Sequence, residues 1–205
     1  MQNYQWTILY SDHAQQFIHS EFIKQHNPNA SLFLLDISNQ YSKEFAWKNS
    51  DLLIRNWLKE NISKINPDSN IAILEWDVFL NTSLPNIKVD GLMGKYIFLR
   101  DKHPGWHHWR DIDLLKDYKQ YAVGAMPFGV YFINYRGLEC WIDHKHDCLY
   151  DQNIQNELRL PSLLNSENIK IQNYNLPYVC YQTEWTNFAE TGIYHPVKYS
   201  MLAFL

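Results

Sequence analysis

The first half of the chain alternates between short apolar runs and longer segments with a helical period. The apolar runs at residues 6–10, 31–36 and 71–78 are rich in Ile, Leu and aromatic side chains, which is typical of buried strands. Between them, residues 14–26 and 45–65 carry apolar side chains at helical spacings. Because strands and helices alternate, the connections are expected to be crossovers. The pattern therefore predicts an α/β fold whose first three strands are parallel.

The second half of the chain has a less regular pattern. No repeat, low-complexity tract or flexible linker divides it from the first half, so we expect a single domain over residues 1–205, with a β/α half at 1–80 and a second half with the C-terminal tail at 81–205. The predicted elements are a turn and strand at 91–99, a loop at 103–109, a short helix at 111–121, a glycine-interrupted strand at 123–133, and a helix at 152–165 with a break at Pro161.

The composition excludes several classes of protein. The chain is 46% hydrophobic and 16% aromatic, which excludes a disordered chain. Its formal net charge of -4 argues against a general nucleic-acid binder, for which a basic surface is expected. The three cysteines have no close pairing and the start lacks a signal-peptide pattern, so we expect a cytoplasmic protein. No apolar run is long enough for a transmembrane segment.

Two carboxylates at the end of the third apolar run give the clearest indication of a site. Glu75 and Asp77 stand two apart, so on a strand their side chains would share a face. Two anions beside an apolar core favour a counter-charge such as a divalent cation. In open α/β sheets, ligands bind beyond the carboxyl ends of the strands. The alternative is a strand end whose acids face water.

This arrangement resembles the nucleotide-sugar-dependent glycosyltransferases of the GT-A fold. The resemblance rests on two strand/helix units followed by a buried strand that ends in the acidic triplet Glu75-Trp76-Asp77, and it extends in order over residues 6–198. It implies a single GT-A-like domain with a Rossmann-like mixed sheet flanked by helices. It also implies that Glu75, Asp77 and the late His195 hold Mn²⁺ or Mg²⁺ on the donor diphosphate. The family usually has Asp at the first position of the triplet, so Glu75 departs from its pattern.

The resemblance also implies roles for residues outside the triplet. Residues 122–129 resemble the glycine-containing segment that shapes the donor and acceptor pocket, with Gly124, Phe128 and Gly129 as its candidate residues. Glu157 lies where many of these enzymes begin the helix that holds their catalytic carboxylate. The candidate donor-binding residues are Asp51, Arg55, Trp76 and Lys198, with Lys198 neutralising a phosphate.

Several of these residues also have an ordinary structural interpretation. Asp51 and Arg55 are spaced for a solvated i,i+4 pair on a helix. Glu157 would then belong to the polar face of its helix, and His195 to the protein surface. In the Pro/Gly-containing loop, Trp106 and Trp109 are expected to form an exposed platform on which a sugar or base stacks, although core packing is the alternative.

The expected function is metal-assisted transfer of a sugar from a nucleotide-diphosphate donor to a hydroxyl acceptor. Glu157 would act as base if the reaction inverts the sugar centre, and would orient the acceptor if it retains configuration. Two alternatives are a GT-A-like protein that binds a nucleotide or sugar without turnover, and a metal-dependent phosphoesterase. The chain has no Gly-rich phosphate loop, no Gly-x-Ser-x-Gly elbow and no zinc-ligand spacing among its histidines, which argues against dehydrogenases, P-loop hydrolases, serine hydrolases and zinc enzymes.

Overall fold

A computed structural model describes residues 4–12, 17–36, 41–75, 77–173, 179–181, 191–195 and 197. Its strands are β1 (Trp6–Asp12), β2 (Ser31–Asp36), β3 (Asn70–Leu74), β4 (Phe79–Asn81), β5 (Leu92–Leu99), β6 (Val123–Ile133), β7 (Ile171–Asn173), β8 (Val179–Tyr181) and β9 (Gly192–His195). Its α-helices are α1 (Phe17–His26), α2 (Lys43–Lys48), α3 (Ser50–Asn61), α4 (Tyr135–Ile142) and α5 (Asn156–Ser166). Short 3₁₀ helices occupy Ile62–Lys64, His107–Tyr121 and His144–Leu149.

Within these residues, six strands form one mixed sheet in the order β2-β1-β3-β6-β5-β7. Strand β1 is parallel to both β2 and β3, as the alternating pattern predicts. Strand β6 runs antiparallel to β3 and β5, and β7 is parallel to β5. A separate small sheet has the order β4-β9-β8. The predicted single α/β domain with a mixed sheet flanked by helices is confirmed.

Strand β3 is buried on both faces, which explains its continuous apolar run. Ile71 and Ile73 enter one hydrophobic cluster, together with residues of α3, α4 and α5. Ala72 and Leu74 enter a second cluster on the opposite face, which includes residues of α1, β4 and β9. Alternating side chains of one strand therefore contribute to both cores.

Several predicted elements differ from the observed ones. The helix expected over 45–65 is divided into α2 and α3, because Asn49 has non-helical dihedrals (φ -124°, ψ 25°) while its N–H still bonds the Phe45 carbonyl. The break expected at Pro161 is wrong. Helix α5 continues through Pro161 from Asn156 to Ser166.

The third difference concerns the segment around residues 103–121. The loop predicted at 103–109 gives way to 3₁₀ structure from His107 onward, and the short helix predicted at 111–121 belongs to the same 3₁₀ segment. That segment is interrupted at Lys116, whose φ of 51° is outside the helical range.

No helix within the described residues is long and apolar enough to cross a membrane. The functional division into halves at 1–80 and 81–205 stays a prediction.

Candidate metal centre and active site

Glu75 and Asp77 lie in a tight turn just beyond β3. The strand ends at Leu74, where the sequence pattern had placed both acids on the strand itself. The N–H of Glu75 donates to the Gly129 carbonyl (2.9 Å), and the N–H of Val78 donates to the Glu75 carbonyl (3.0 Å). The two carboxylates are therefore brought together by a turn rather than by the alternation of a strand.

The pairing of β4 with β9 brings His195 to this turn. Phe79 is the partner of Tyr194 in the ladder, and the N–H of Val197 donates to the Asp77 carbonyl at 2.7 Å. As a result, His195 Nε2 lies 3.0 Å from Asp77 Oδ1 and 3.6 Å from Glu75 Oε2. Ligand atoms of the three side chains all lie within 4.8 Å of one another. Residues some 120 positions apart in the sequence thus meet at the end of the sheet.

Gly129 on β6 makes room for the His195 ring. A Cβ atom at residue 129 would lie 2.5 Å from His195 Nε2 and 2.6 Å from two ring carbons. Contacts this short require the ring to move. The glycine at this position is therefore a steric requirement for the placement of His195.

The charges of these three side chains depend on one another. Burial lowers the pKa of His195, but the hydrogen bonds and charges of Asp77 and Glu75 outweigh burial and raise this pKa to about 9. Burial is the main reason that the pKa of Glu75 is raised. The charge of Asp77 adds to this effect, while His195 and the Ser50 hydroxyl oppose it. In the metal-free protein His195 is therefore protonated at neutral pH and offsets the charge of the carboxylates.

The donor set of Glu75, Asp77 and His195 fits a divalent cation. Carboxylate oxygens suit Mg²⁺ and Mn²⁺, and an imidazole nitrogen suits the transition metals. An imidazole must be neutral to coordinate a metal, so a cation would take the place of the His195 proton. The chemistry and convergence of these groups are those expected of a metal centre.

Buried polar groups join the start of α3 to the start of α5. The Ser50 hydroxyl accepts a bond from Asn156 Nδ2 at 2.6 Å. Asn156 Nδ2 also donates to the Trp47 carbonyl at 3.2 Å. Ser50 and Asn156 are 5% and 2% exposed. The first residue of α3 and the first residue of α5 are thereby held together.

Glu157, the candidate catalytic carboxylate, follows Asn156 and contacts a buried histidine. Its Oε2 lies 2.8 Å from His108 Nε2, and both side chains are buried. The N–H of Glu157 donates to Asn156 Oδ1 at 2.8 Å. Glu157 is thus not on a solvated helix face, although its assignment as the catalytic residue stays a prediction.

Asp51 and Arg55 do not form the solvated i,i+4 pair that their spacing allows. Both are buried, and Asp51 instead accepts a bond of 2.8 Å from Nε of Arg159. Arg55 donates to the Trp141 and Asp143 carbonyls and pairs with Asp147 at 2.6 Å. The two arginines also lie over the Tyr150 ring, at 4.5 Å and 4.6 Å from its centroid. Contact of Asp51 or Arg55 with a donor stays a prediction.

The exposed aromatic platform expected of Trp106 and Trp109 is wrong. Each residue is only 8% exposed and belongs to the hydrophobic core. The Trp109 indole N–H donates to the His103 carbonyl, and the two indoles make an edge contact at 4.8 Å between ring centroids. The 3₁₀ segment folds back on the sheet, so that the Trp106 ring covers Gly124, where a Cβ atom would lie 2.2 Å from the ring.

The remaining pocket residues are described only in part. Residues 122–129 resemble a loop in the family pattern but form the first part of strand β6, which extends beyond the end of β3. Gly124 contacts Trp106, and Gly129 contacts the metal centre. The side chain of Phe128, together with Trp76 and Lys198, lies outside the described residues.

The sequence interpretation missed three residues of this site. Ser50 and Asn156 are short polar residues at helix starts, where capping explains such residue types without any link to a site. His108 is one of the histidines whose spacing argues against a zinc site. The contacts of all three cross between distant segments, and the single sequence carries no signal for such contacts.

Solved structures of glycosyltransferases are similar to this chain at low sequence identity. The galactosyltransferase LgtC, in complex with donor and acceptor sugar analogs, is 11% identical with a TM-score of 0.49, over 95% of this chain and 87% of that chain. A glycosyltransferase involved in the glycosylation of the major capsid of PBCV-1 is 11% identical with a TM-score of 0.46, over 93% and 92%. The glycosyltransferase GlyE of Streptococcus pneumoniae TIGR4 is 13% identical with a TM-score of 0.43, over 81% and 43%.

No protein-family model matches the chain, and no curated protein sequence matches it. The resemblance to glycosyltransferases stated from the sequence is found again among the solved structures. Because the TM-scores are below 0.5, this likeness assigns no activity and no residue role.

Proposed function

We propose that this protein is a metal-dependent glycosyltransferase that moves a sugar from a nucleotide-diphosphate donor to a hydroxyl acceptor. The observation that carries the proposal is the convergence of Glu75, Asp77 and His195 within 4.8 Å of one another beyond the carboxyl end of a central strand. A third carboxylate, that of the buried Glu157, follows Asn156 in the first turn of α5, and Asn156 donates to Ser50 at the start of α3. The carboxyl ends of strands are where α/β sheets bind ligands.

In the proposed reaction, Glu75, Asp77 and His195 hold Mn²⁺ or Mg²⁺. The bound cation supplies Lewis-acid stabilisation of the charge that develops on the departing nucleotide diphosphate. Asp77 is the principal ligand, because its carboxylate is the closer of the two to His195. The longer Glu75 side chain is the secondary ligand. Lys198 and Trp76 are proposed contacts of the donor.

Glu157 is the proposed base for the acceptor hydroxyl. A base has to be positioned within hydrogen-bonding reach of the proton it accepts. The His108 contact holds the Glu157 side chain, and the bond from the Glu157 N–H to Asn156 Oδ1 holds its backbone. In the same proposal Asp51 and Arg55 hold α3 against the rest of the site through their buried contacts. They do not have to touch the donor themselves.

Calorimetric titration with UDP and GDP, each with and without Mn²⁺, tests donor binding directly. The proposal predicts that one nucleotide diphosphate binds, that Mn²⁺ strengthens its binding, and that Asp77→Ala removes this strengthening. A panel of UDP- and GDP-sugars with Mn²⁺ then tests turnover. Turnover is measured as the amount of nucleotide diphosphate released from each sugar donor. Asp113→Ala, on the exposed part of the 3₁₀ segment, is the matched control and should behave as the wild type.

The alternative functions give different results in the same experiments. Binding of a nucleotide diphosphate without turnover of any sugar donor would favour a binding protein. Hydrolysis of a generic phosphate ester that Asp77→Ala abolishes would favour a phosphoesterase. Failure of UDP and GDP to bind under either condition would contradict the proposal.

A further inference from the structure

A cleft of about 800 Å³ lies at the edge of the sheet opposite to the metal centre. Its described lining comes from the start of β1 (residues 4–6), the connection from α1 to β2 (residues 26–30) and the loop after β4 (residues 83, 84 and 86). Strands β1, β2 and β3 are parallel, so the cleft is at their amino ends and the metal centre is beyond the carboxyl end of β3. The five residues of β3 separate the two edges by roughly 15 Å.

Hydrogen bonds between distant segments hold the walls of this cleft in place. The Asn27 amide donates to the Thr82 carbonyl at 3.4 Å, and Asn27 Oδ1 accepts from the Leu84 N–H at 2.8 Å. The Trp6 indole N–H donates to the Pro85 carbonyl at 3.1 Å. The loop after β4 is thereby fixed to both of the other segments, which makes this a pre-formed cleft of the kind that binds small ligands.

Several polar groups of the lining are available to a ligand. The Tyr4 hydroxyl, the His26 ring and the Asn29 amide make no hydrogen bond within the described part of the chain. Tyr4 and His26 are half-buried and Asn29 is exposed. Gln5 uses its Oε1 to accept from Asn66 at 3.2 Å, which leaves its NH₂ group as a donor. These groups together offer both donors and acceptors.

The chemistry of the lining selects a class of ligand. No Asp, Glu, Lys or Arg belongs to the described lining, whereas a phosphate calls for basic groups and a metal cation for carboxylates. An apolar ligand would cover the polar groups and leave them without partners, which costs free energy. A neutral ligand rich in hydroxyl groups satisfies them. The rings of Tyr4 and Pro28 add apolar surface for the C–H face of a sugar ring.

We propose that this cleft binds a neutral oligosaccharide, as a glycan-binding site separate from the metal centre. His26 and Asn29 hydrogen-bond sugar hydroxyls, and Tyr4 contacts the sugar with its ring and its hydroxyl. The inference goes beyond the proposed function and does not require it, because the cleft and the metal centre share no residue.

The test is calorimetric titration of the full chain, without metal or nucleotide, with maltotetraose, cellotetraose, mannotetraose and lactose. At least one of these sugars is expected to bind the wild type. Asn29→Ala and Tyr4→Phe each remove one hydrogen bond and should weaken binding by about fivefold. Asn29→Trp adds a bulky ring to the lining and should abolish binding. The matched control is Asn56→Ala, an exposed asparagine on α3 outside the cleft, which should bind as the wild type does.

Asp77→Ala separates this cleft from the metal centre. The variant should keep the wild-type affinity for the oligosaccharide, because Asp77 lies at the other edge of the sheet. Loss of sugar binding in Asp77→Ala, wild-type binding in Asn29→Trp, or no binding of any of the four sugars to the wild type would each overturn this inference. None of these results bears on the binding of a nucleotide diphosphate, which tests the proposed function.

Discussion

Asp51 and Arg159 form an ion pair in which both side chains are completely buried. Nε of Arg159 donates to Asp51 Oδ2 at 2.8 Å, and a second guanidinium nitrogen lies 2.5 Å from Oδ1. This two-point contact joins α3 to α5 next to Ser50. Burial disfavours the charge of Arg159, yet the Asp51 charge and hydrogen bonds raise the pKa of Arg159, so the guanidinium stays charged.

Removing one partner of this pair should destabilise the protein strongly. Asp51→Ala leaves the Arg159 charge buried and unpaired, which is expected to lower the free energy of unfolding by about 3–5 kcal/mol. Chemical denaturation measures the loss. The control is Glu21→Ala, which breaks an exposed pair with Lys24 at 3.6 Å and should cost less than about 1 kcal/mol. Equal losses in both variants would contradict the role of the buried pair.

Gly129→Ala should weaken metal binding without unfolding the protein. The added Cβ would meet the His195 ring at 2.5 Å, so the ring has to leave its place beside Asp77. We expect the affinity for Mn²⁺ to fall at least about tenfold. Losing a residue that orients a metal ligand typically lowers metal affinity by this much. Gly94→Ala on β5 is the matched control, because its Cβ would make only an ordinary contact of 3.5 Å with Ile97. Unchanged affinity in Gly129→Ala would show that His195 is not a ligand.

The stability of the metal-free protein should fall as the pH rises from about 6.5 to about 9. The pKa of His195 is raised from 6.5 to about 9, so the folded state binds this proton more tightly than the unfolded state does. The stabilisation that this proton provides is complete below the pKa of His195 in the unfolded state and is lost as the pH rises through its pKa in the folded state. A pKa shift of this size corresponds to about 3 kcal/mol of stability. Thermal unfolding across this pH range, with a chelator present, measures it.

His195→Gln is the control for this pH dependence. The variant lacks the titrating imidazole, so its stability should change less between these two pH values than that of the wild type. A parallel decline in both proteins would mean that other groups cause it.

Replacing Glu157 should lower turnover while leaving metal and donor binding in place. General bases typically contribute 10²–10⁴-fold, so Glu157→Gln is expected to lower kcat by about that factor. The dissociation constants of Mn²⁺ and of the nucleotide diphosphate should stay close to those of the wild type. Glu139→Gln, an exposed carboxylate on α4, serves as the control. If the Glu157→Gln variant keeps the full kcat, Glu157 is not the base of the reaction.

The sequence predicted those parts of the fold that local patterns determine. The order of β1, α1, β2, α3 and β3 follows from apolar runs and helical spacings, and the parallel pairing of the first three strands follows from that order. The division between α2 and α3 was missed, because it depends on the backbone of a single asparagine.

The site was predictable only in part. Glu75 and Asp77 were selected from their place at the end of an apolar run and His195 from the family resemblance, and the three do lie together. The partner of Asp51 was not predictable, because local spacing favours Arg55 whereas the fold supplies Arg159 from a helix about 100 residues later. Trp106 was misassigned for a related reason, since its burial depends on Gly124 in a neighbouring strand.

The most direct test of the metal centre is a crystal structure of the protein soaked with Mn²⁺ and the nucleotide diphosphate that it binds. The account predicts an anomalous difference peak for manganese between Asp77 and His195, within bonding distance of both, with the diphosphate oxygens on the same ion. A manganese peak elsewhere, or a bound diphosphate with no ion at Asp77 and His195, would contradict it.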